Sequence, residues 1–258
     1  LICIFLFANG VPGMAKIGVW KFLSGTRWKP GSNIYGILPM ILGSVYVTAG
    51  ALIVGVPAGL LAALFMARFA SKKLLRLMRP AISLLAGIPS VVYGFFGMVV
   101  IVPLVRALFG GSGSSLLAAS LLLGMMILPT IITVAESALR AVPDAYYEGA
   151  LALGATHERA VFRVVLPAAK SGVTAGVILG VGRAIGEAMA VMMVAGNRAV
   201  IPRSLISGVR TLTTNIVMEM GYAADLHREA LIATAVVLFV FILIINVLFS
   251  LLKRRGEG

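Results

Sequence analysis

The chain has 258 residues, of which 60% are hydrophobic and only 12% charged, where soluble domains carry roughly 25% charged residues. With a mean hydropathy of +1.05, its apolar surface cannot be hidden in one water-excluding core, so a soluble globular fold is excluded in favour of an integral membrane protein. The net charge of +13 comes from 22 basic and 9 acidic residues, but the basic residues gather at the ends of apolar runs, where membrane topology and lipid head groups account for them better than nucleic acid does.

Leu1–Ala8 is apolar but too short to cross a bilayer, which takes about 20 residues. No basic segment precedes it, so it reads as the outer end of a partial first helix, not as a signal-peptide remnant. Residues 9–38 then form an external loop. Five full spans follow at Pro39–Met66, Ala81–Leu108, Leu116–Leu139, Ser171–Ala195 and Glu229–Leu252. Their apolar runs are continuous rather than alternating, which favours helices over a membrane barrel, and helices satisfy their own backbone in lipid. The predicted fold is an all-α membrane protein, a polytopic bundle of about six transmembrane helices with the first one partial. Residues 39–252 form its transmembrane domain and 253–258 a basic tail.

The single cysteine, Cys3, excludes an internal disulfide and a cysteine-rich zinc cluster. His157 and His227 flank different spans and read as surface residues. The short loop after Pro39–Met66 holds Arg68, Lys72, Lys73, Arg76 and Arg79, whereas the turn Gly110–Ser115 has only Arg106 beside it. Positive residues mark the cytoplasmic side, so the loop 140–170 and the tail Lys253-Arg254-Arg255 are placed in the cytoplasm, and 9–38 and 196–228 outside. Pro57, Pro89, Pro103 and Pro129 each remove a backbone donor from a span. The stretch from Gly87 to Gly94 predicts a kink or a helix break, which either lines a cavity or simply packs.

Arg183 lies about 18 Å into its span at 1.5 Å per residue, close to the midplane. A charge there costs about 2.5–3.5 kcal/mol on insertion scales and calls for a partner. Glu187, at i+4, is the candidate. Gly172, Gly176, Gly180, Arg183, Glu187 and Ala190 fall within an arc of about 80°, so the charge-bearing face is also shaped for close helix contact. The pair reads either as interhelical glue or as a pathway element in which Arg183 offers its fork of donors to an anion. Glu136, one turn before Arg140, reads as an interfacial ion pair. Thr130 and Thr133 line a path or, more commonly for threonines, bond their own helix. Asn197, Arg198, Arg203 and Arg210 lie outside the membrane, where they steer an anion, contact a partner or form a solvated face.

Residues 144–154 predict a short helix, with Asp144 as N-cap, Glu148 near its first turn and Gly154 as its stop. A second helix runs from Thr156 toward Pro167. The series Glu148-Gly149-Ala150, Gly154, and then Val164-Val165-Leu166-Pro167 resembles the cytoplasmic coupling loop of ABC importer permeases, whose pattern is Glu-Ala-Ala, a Gly four residues on, and Ile-x-Leu-Pro. Gly149 stands where that family has Ala, which keeps the small size. No Gly-x-x-x-x-Gly-Lys-[Ser/Thr] loop and no catalytic Ser/His/Asp or Cys/His set is present, so neither a catalytic residue, nor a metal, nor a cofactor is expected, and the chain is not an enzyme by itself.

Gly180–Ala190 with its Gly-Arg-Ala-Ile-Gly-Glu-Ala-Met core, Val194–Asn197, Arg210–Tyr222 and Asp225–Ala230 are similar to the PstC family of phosphate ABC transporter permeases. The resemblance implies a type I importer permease of MetI-like fold in a bacterial or archaeal inner membrane, multi-pass, with its C-terminus in the cytoplasm. It implies a PstA-like permease as partner, a phosphate-binding protein (PstS-like) on the outer loops, and two PstB-like ATPase subunits on the 144–167 loop. Glu148, Gly149, Ala150, Gly154, Leu166 and Pro167 would serve the coupling, and Arg183 and Glu187 the substrate path. The residues alone leave open a permease for sulfate or molybdate, or a membrane signalling or scaffold subunit.

Overall fold

The computed structural model describes the backbone of residues 1–255 and side chains to residue 248; the basic tail expected at 253–258 lies outside the residues described with their side chains. In chain order, α1 (Ile2–Ile17) stops at Gly18, whose φ of +93° favours glycine, and α2 (Val19–Ser24) follows. A ribbon pairs β1 (Trp28–Lys29) antiparallel with β2 (Ile34–Tyr35), Trp28 opposite Tyr35. α3 (Leu38–Leu64) runs into a π-helical turn, Phe65–Phe69. α4 (Lys72–Gly87) is capped by the Ser71 hydroxyl, which accepts from the Leu74 amide. Next come α5 (Ser90–Phe96), a π-turn Gly97–Ile101, and α6 (Val102–Phe109). α7 (Leu116–Arg140) is followed by α8 (Asp144–Ala152), α9 (His157–Ala160), a π-turn Val161–Val165 and α10 (Leu166–Ala168). α11 (Lys170–Gly186), α12 (Met189–Val194), α13 (Leu212–Glu219) and α14 (Asp225–Arg255) complete the chain.

Among the described residues, four helices are long and apolar enough to cross a membrane: Leu38–Phe69, Ser90–Phe109, Leu116–Arg140 and Asp225–Leu248. The pair His157–Ala168 and Lys170–Gly186, bent by 71°, adds a fifth if taken as one span. α1 is a shorter apolar helix of 16 residues.

Three expected boundaries move, each for a local reason. α1 continues to Ile17, well past the expected end at Ala8, because Asn9 turns its amide back onto the Phe5 carbonyl. Gly10 and Gly13 then let it sit against Ile232, Val236 and Glu229 of α14. The span expected at 81–108 is broken within the stretch from Gly87 to Gly94, where a kink or break was expected: Pro89 has no N–H and forces Ile88 out of the helical region, to ψ 127°. The span expected at Ser171–Ala195 ends at Gly186 and restarts as α12.

Two compact units emerge from the packing. One comprises Leu1–Ala51, Pro89–Leu123 and Ala184–Ile245; the other comprises Leu52–Ile88, Gly124–Arg183 and residues 246–255. In the first unit Phe22, Trp28, Tyr35, Ile37, Met40, Leu212 and Leu231 form a buried cluster. In the second, Ala63, Met66, Ile132, Ala135, Leu139, Val161 and Val165 do so. Lipid is as apolar as leucine, so within the membrane close packing of small residues, more than the hydrophobic effect, holds helices together.

Candidate functional site

Arg183 sits at the end of a row of glycines on α11. Gly172 of α11 meets Ala138 of α7, Gly176 meets Val134, and Gly180 meets Ile131. A Cβ added at Gly180 would stand 3.0 Å from the Ile131 side chain, and one at Gly176 would stand 3.2 Å from Val134. The small-residue face expected from helical periodicity is thus a contact face as far as Gly180. One turn on, Arg183 Nη1 donates to the Thr130 hydroxyl at 3.3 Å. That is a long bond to a neutral group, and no carboxylate pairs with Arg183 among the described residues. Its charge is therefore left uncompensated among the described residues.

The expected pairing of Arg183 and Glu187 along one helix face is not formed. It assumed that α11 runs on, and α11 stops at Gly186. Glu187 turns instead to the start of α12, where its Oε1 accepts from the Ala190 amide at 3.2 Å. The Glu187 carbonyl accepts from the Thr213 hydroxyl at 3.0 Å. A carboxylate at a free helix start is favoured by the exposed amides. Ala190, counted on the same arc from the sequence, packs instead over Gly94 of α5. Glu136 does pair with Arg140, Nε to Oε1 at 2.8 Å, as its spacing predicted.

The segment expected to couple is an exposed helix tied to its neighbours by side-chain bonds. α8 has no buried residue, and Tyr146, Leu151 and Leu153 project their apolar surfaces outward. Glu148 and Gly149 are exposed on it, Ala150 is half-buried, and Gly154 terminates it with φ +84°. A Cβ at Gly149 would meet nothing within 4 Å, so the alanine of the family pattern would fit. Asp144, expected as the N-cap, is instead the first helical residue, because Pro143 takes the cap position. The Asp144 carboxylate is held by Arg68 Nη1 at 3.0 Å. Arg68 Nη2 also donates to the carbonyls of Leu139 at 3.1 Å and Val142 at 3.3 Å, which ties the end of α7 to the head of α8. Tyr147 then bonds His157 Nδ1 at 2.6 Å, with the Phe69 ring 4.6 Å from the imidazole. Beyond Thr156, whose hydroxyl caps α9, Val161 and Val165 enter the core with Leu166 packed against it, and Pro167 lies exposed at the head of α10. His157 is thus a clamp between helices rather than a free surface residue. Neither clamp was visible in the sequence, where Arg68 read only as part of a topogenic cluster.

Between α12 and α14, Arg210 is not a solvated cation. It binds Glu219 Oε1 at 2.6 Å, Asn215 at 3.1 Å and the Asn197 carbonyl at 3.0 Å. Glu219 Oε2 receives Trp28 Nε1 and meets His227 Nε2, both at 2.8 Å. His227, expected at the surface, is 14% exposed and stacked on Tyr35. Burial raises the Tyr35 phenol above its usual pKa, so it stays a neutral donor to Asn33. Arg198 and Arg203 remain exposed.

Residues 55–257 match the family described as binding-protein-dependent transport system inner membrane component. The chain is 40% identical to the probable ABC transporter permease protein YqgH of Bacillus subtilis (strain 168), over 96% of this chain and 84% of that one. It is 33% identical to the phosphate transport system permease protein PstC of Mesorhizobium japonicum, over 100% of this chain and 85% of that one. Among solved structures it resembles the inward-facing MetNI methionine ABC transporter with a TM-score of 0.61 at 20% identity, covering 98% of this chain and 96% of that one. A crystal structure of an amino acid ABC transporter with histidines gives 0.61 at 21% identity, covering 85% and 93%. At such identity the two structures speak for the fold alone.

Proposed function

Because this chain belongs to the family of binding-protein-dependent transport system inner membrane components, we propose that it is the transmembrane permease subunit of an ATP-driven phosphate importer. Phosphate as substrate is supported by the relatives named for phosphate transport. The observation that carries the reading is Arg183: a guanidinium within an apolar helix, bonded among the described residues only to the neutral Thr130 hydroxyl. An intramembrane cation without a counter-charge is costly unless it faces water, protein or an anion, and its planar fork matches the oxygens of a tetrahedral oxyanion.

A second, PstA-like permease completes the path. An extracytoplasmic phosphate-binding protein delivers the anion to the outer loops, and two ATPase subunits engage α8 and the loop 144–167 from the cytoplasm, where the C-terminus also lies. The exposed apolar tip of α8 supplies a docking surface. Its push passes through the Arg68 clamp to α7 and through Tyr147–His157 to α9. Val161 and Val165 carry it into the core beneath α7 and α11. Glu187 marks the break where α12 begins; its negative charge near the path favours release of an anion over its retention.

Phosphate uptake by vesicles carrying the assembled transporter with Arg183→Gln tests the reading. Losing a charged donor pair costs about 1.5–3 kcal/mol, so uptake should fall by 10-fold or more while the complex assembles and its ATPase remains present. Unchanged uptake would remove Arg183 from the path. Lost assembly would make Arg183 structural glue and move the anion site to the partner permease. Excess sulfate or molybdate should leave uptake intact.

A further inference from the structure

We propose that the pocket between α4 and α7, lined by Arg79, Ser83, Thr133, Glu136, Ser137 and Arg140, is a second oxyanion site on the phosphate path, downstream of Arg183. The proposal rests on the phosphate-importer reading and extends it to a site of different construction.

The charges of the pocket do not balance. Arg79 approaches Glu136 Oε1 with Nη2 at 2.9 Å and Nε at 3.3 Å, and Arg140 Nε approaches the same oxygen at 2.8 Å. One carboxylate thus serves two guanidinium groups, and the site keeps a formal charge of about +1. Arg140 spends one further donor on the Met66 carbonyl at 2.6 Å. The other guanidinium N–H groups have no protein acceptor among the described residues. An interfacial ion pair needs one arginine, and the second is surplus to it.

Exposure is arranged in the same sense. The Glu136 side chain is 11% exposed, against 54% for Arg79 and 37% for Arg140. An anion entering the pocket meets the donors first, with the acid behind them. The pocket holds about 310 Å³, room for a tetrahedral oxyanion with several waters at about 30 Å³ each. Leu75, Met78 and Ile82 pack α4 onto the core, and Ile82 lines the pocket beside Arg79 and Ser83.

Arg183 also reaches α7, through its bond to Thr130. Thr130, which holds Arg183, shares an arc of about 80° with Thr133, Ser137 and Arg140, and Thr130 lies about 10 Å from Ser137 along the helix. Thr133 and Ser137 are exposed within this apolar helix. Their hydroxyls donate to the Pro129 and Thr133 carbonyls, both at 2.8 Å. The wall between the two cationic sites is therefore polar yet already satisfied. It lets an anion pass without holding it, as a pathway with several weak sites requires.

The test uses the assembled transporter in vesicles, with Cys3→Ala and a single reporter, Ser83→Cys on α4 or Ser137→Cys on α7, tested separately. The rate of modification by a charged thiol reagent is read with and without millimolar inorganic phosphate, with chloride at equal ionic strength as control. Phosphate should slow modification several-fold where chloride does not, and Arg79→Gln should abolish the protection. Equal rates with and without phosphate, in vesicles whose parent complex transports phosphate, overturn the site. So does protection by chloride, or a failure of both reporters to react, since an ion path must admit a water-soluble probe. If the parent complex carries another oxyanion and that ion alone protects the reporters, the site stands and phosphate as substrate is wrong.

Discussion

At Gly172, Gly176 and Gly180 the missing side chains let α11 lie directly on α7, and the same row ends in Arg183. A Cβ at Gly172 would overlap that of Ala138, whereas one at Gly182 meets nothing within 4 Å. Gly172→Leu should therefore destabilise the protein by about 1–3 kcal/mol through overpacking, seen as a lowered melting temperature and yield of the complex in detergent. Gly182→Ala should leave both unchanged. If the two substitutions behave alike, the contact assigned to the row is wrong. This row could be counted from helical spacing because all its members lie on one helix. The partner of Arg183 could not, because Thr130 comes from 53 residues away.

Helix α8 shows how one residue type acts in two ways. Gly149 sits in an ordinary helical turn with open space around it, while Gly154 holds a φ of +84°. Gly149→Ala should strengthen α8 by up to about 1 kcal/mol and leave phosphate uptake unaltered. Gly154→Ala forces a Cβ into the left-handed region at a cost of about 1–2 kcal/mol, which should distort the link from α8 to α9 and reduce ATPase co-purification with the permease. Asparagine tolerates that region better, so Gly154→Asn should be milder. Equal effects of alanine at both positions would sink the distinction. The positions of α8 and its stop were legible in the sequence from Pro143 and Gly154, since turn chemistry is local. Asp144 as a cap was not borne out, because a proline took the place and an arginine from another helix took the carboxylate.

Across the molecule, among the described residues, the side-chain bonds that join α8 to its neighbours centre on Arg68 and the Tyr147–His157 pair. Arg68 alone binds the Asp144 carboxylate and the carbonyls of Leu139 and Val142, with its own Nε buried and unpartnered. Removing it leaves the exposed face of α8 intact. Arg68→Ala should therefore keep ATPase binding while the phosphate taken up per ATP hydrolysed falls several-fold, measured in vesicles with both quantities read together. An unchanged ratio would mean that force enters by another route, such as Tyr147–His157. Breaks at Pro89 and Gly186 divide what hydropathy alone reads as continuous spans. An apolar average over 18 residues does not register a missing N–H or a carboxylate that prefers a helix start.

By itself the sequence determined the membrane class, the helices of the five expected full spans to within a few residues at one end or both, the glycine face of α11, the Glu136–Arg140 pair and the short helix α8 with its stop at Gly154. Each of these follows from properties of neighbouring residues: apolar content over a window, spacing of three or four along a helix, or the conformational limits of glycine and proline. Tertiary structure alone decided that Arg183 meets Thr130 and not Glu187, that Arg79 joins Glu136 from 57 residues away, that Arg68 clamps α8, and that Arg210 and His227 are sequestered by Glu219. These depend on which helices pack together and where a helix stops, and a charge chooses the nearest partner in space, which spacing along the chain does not specify.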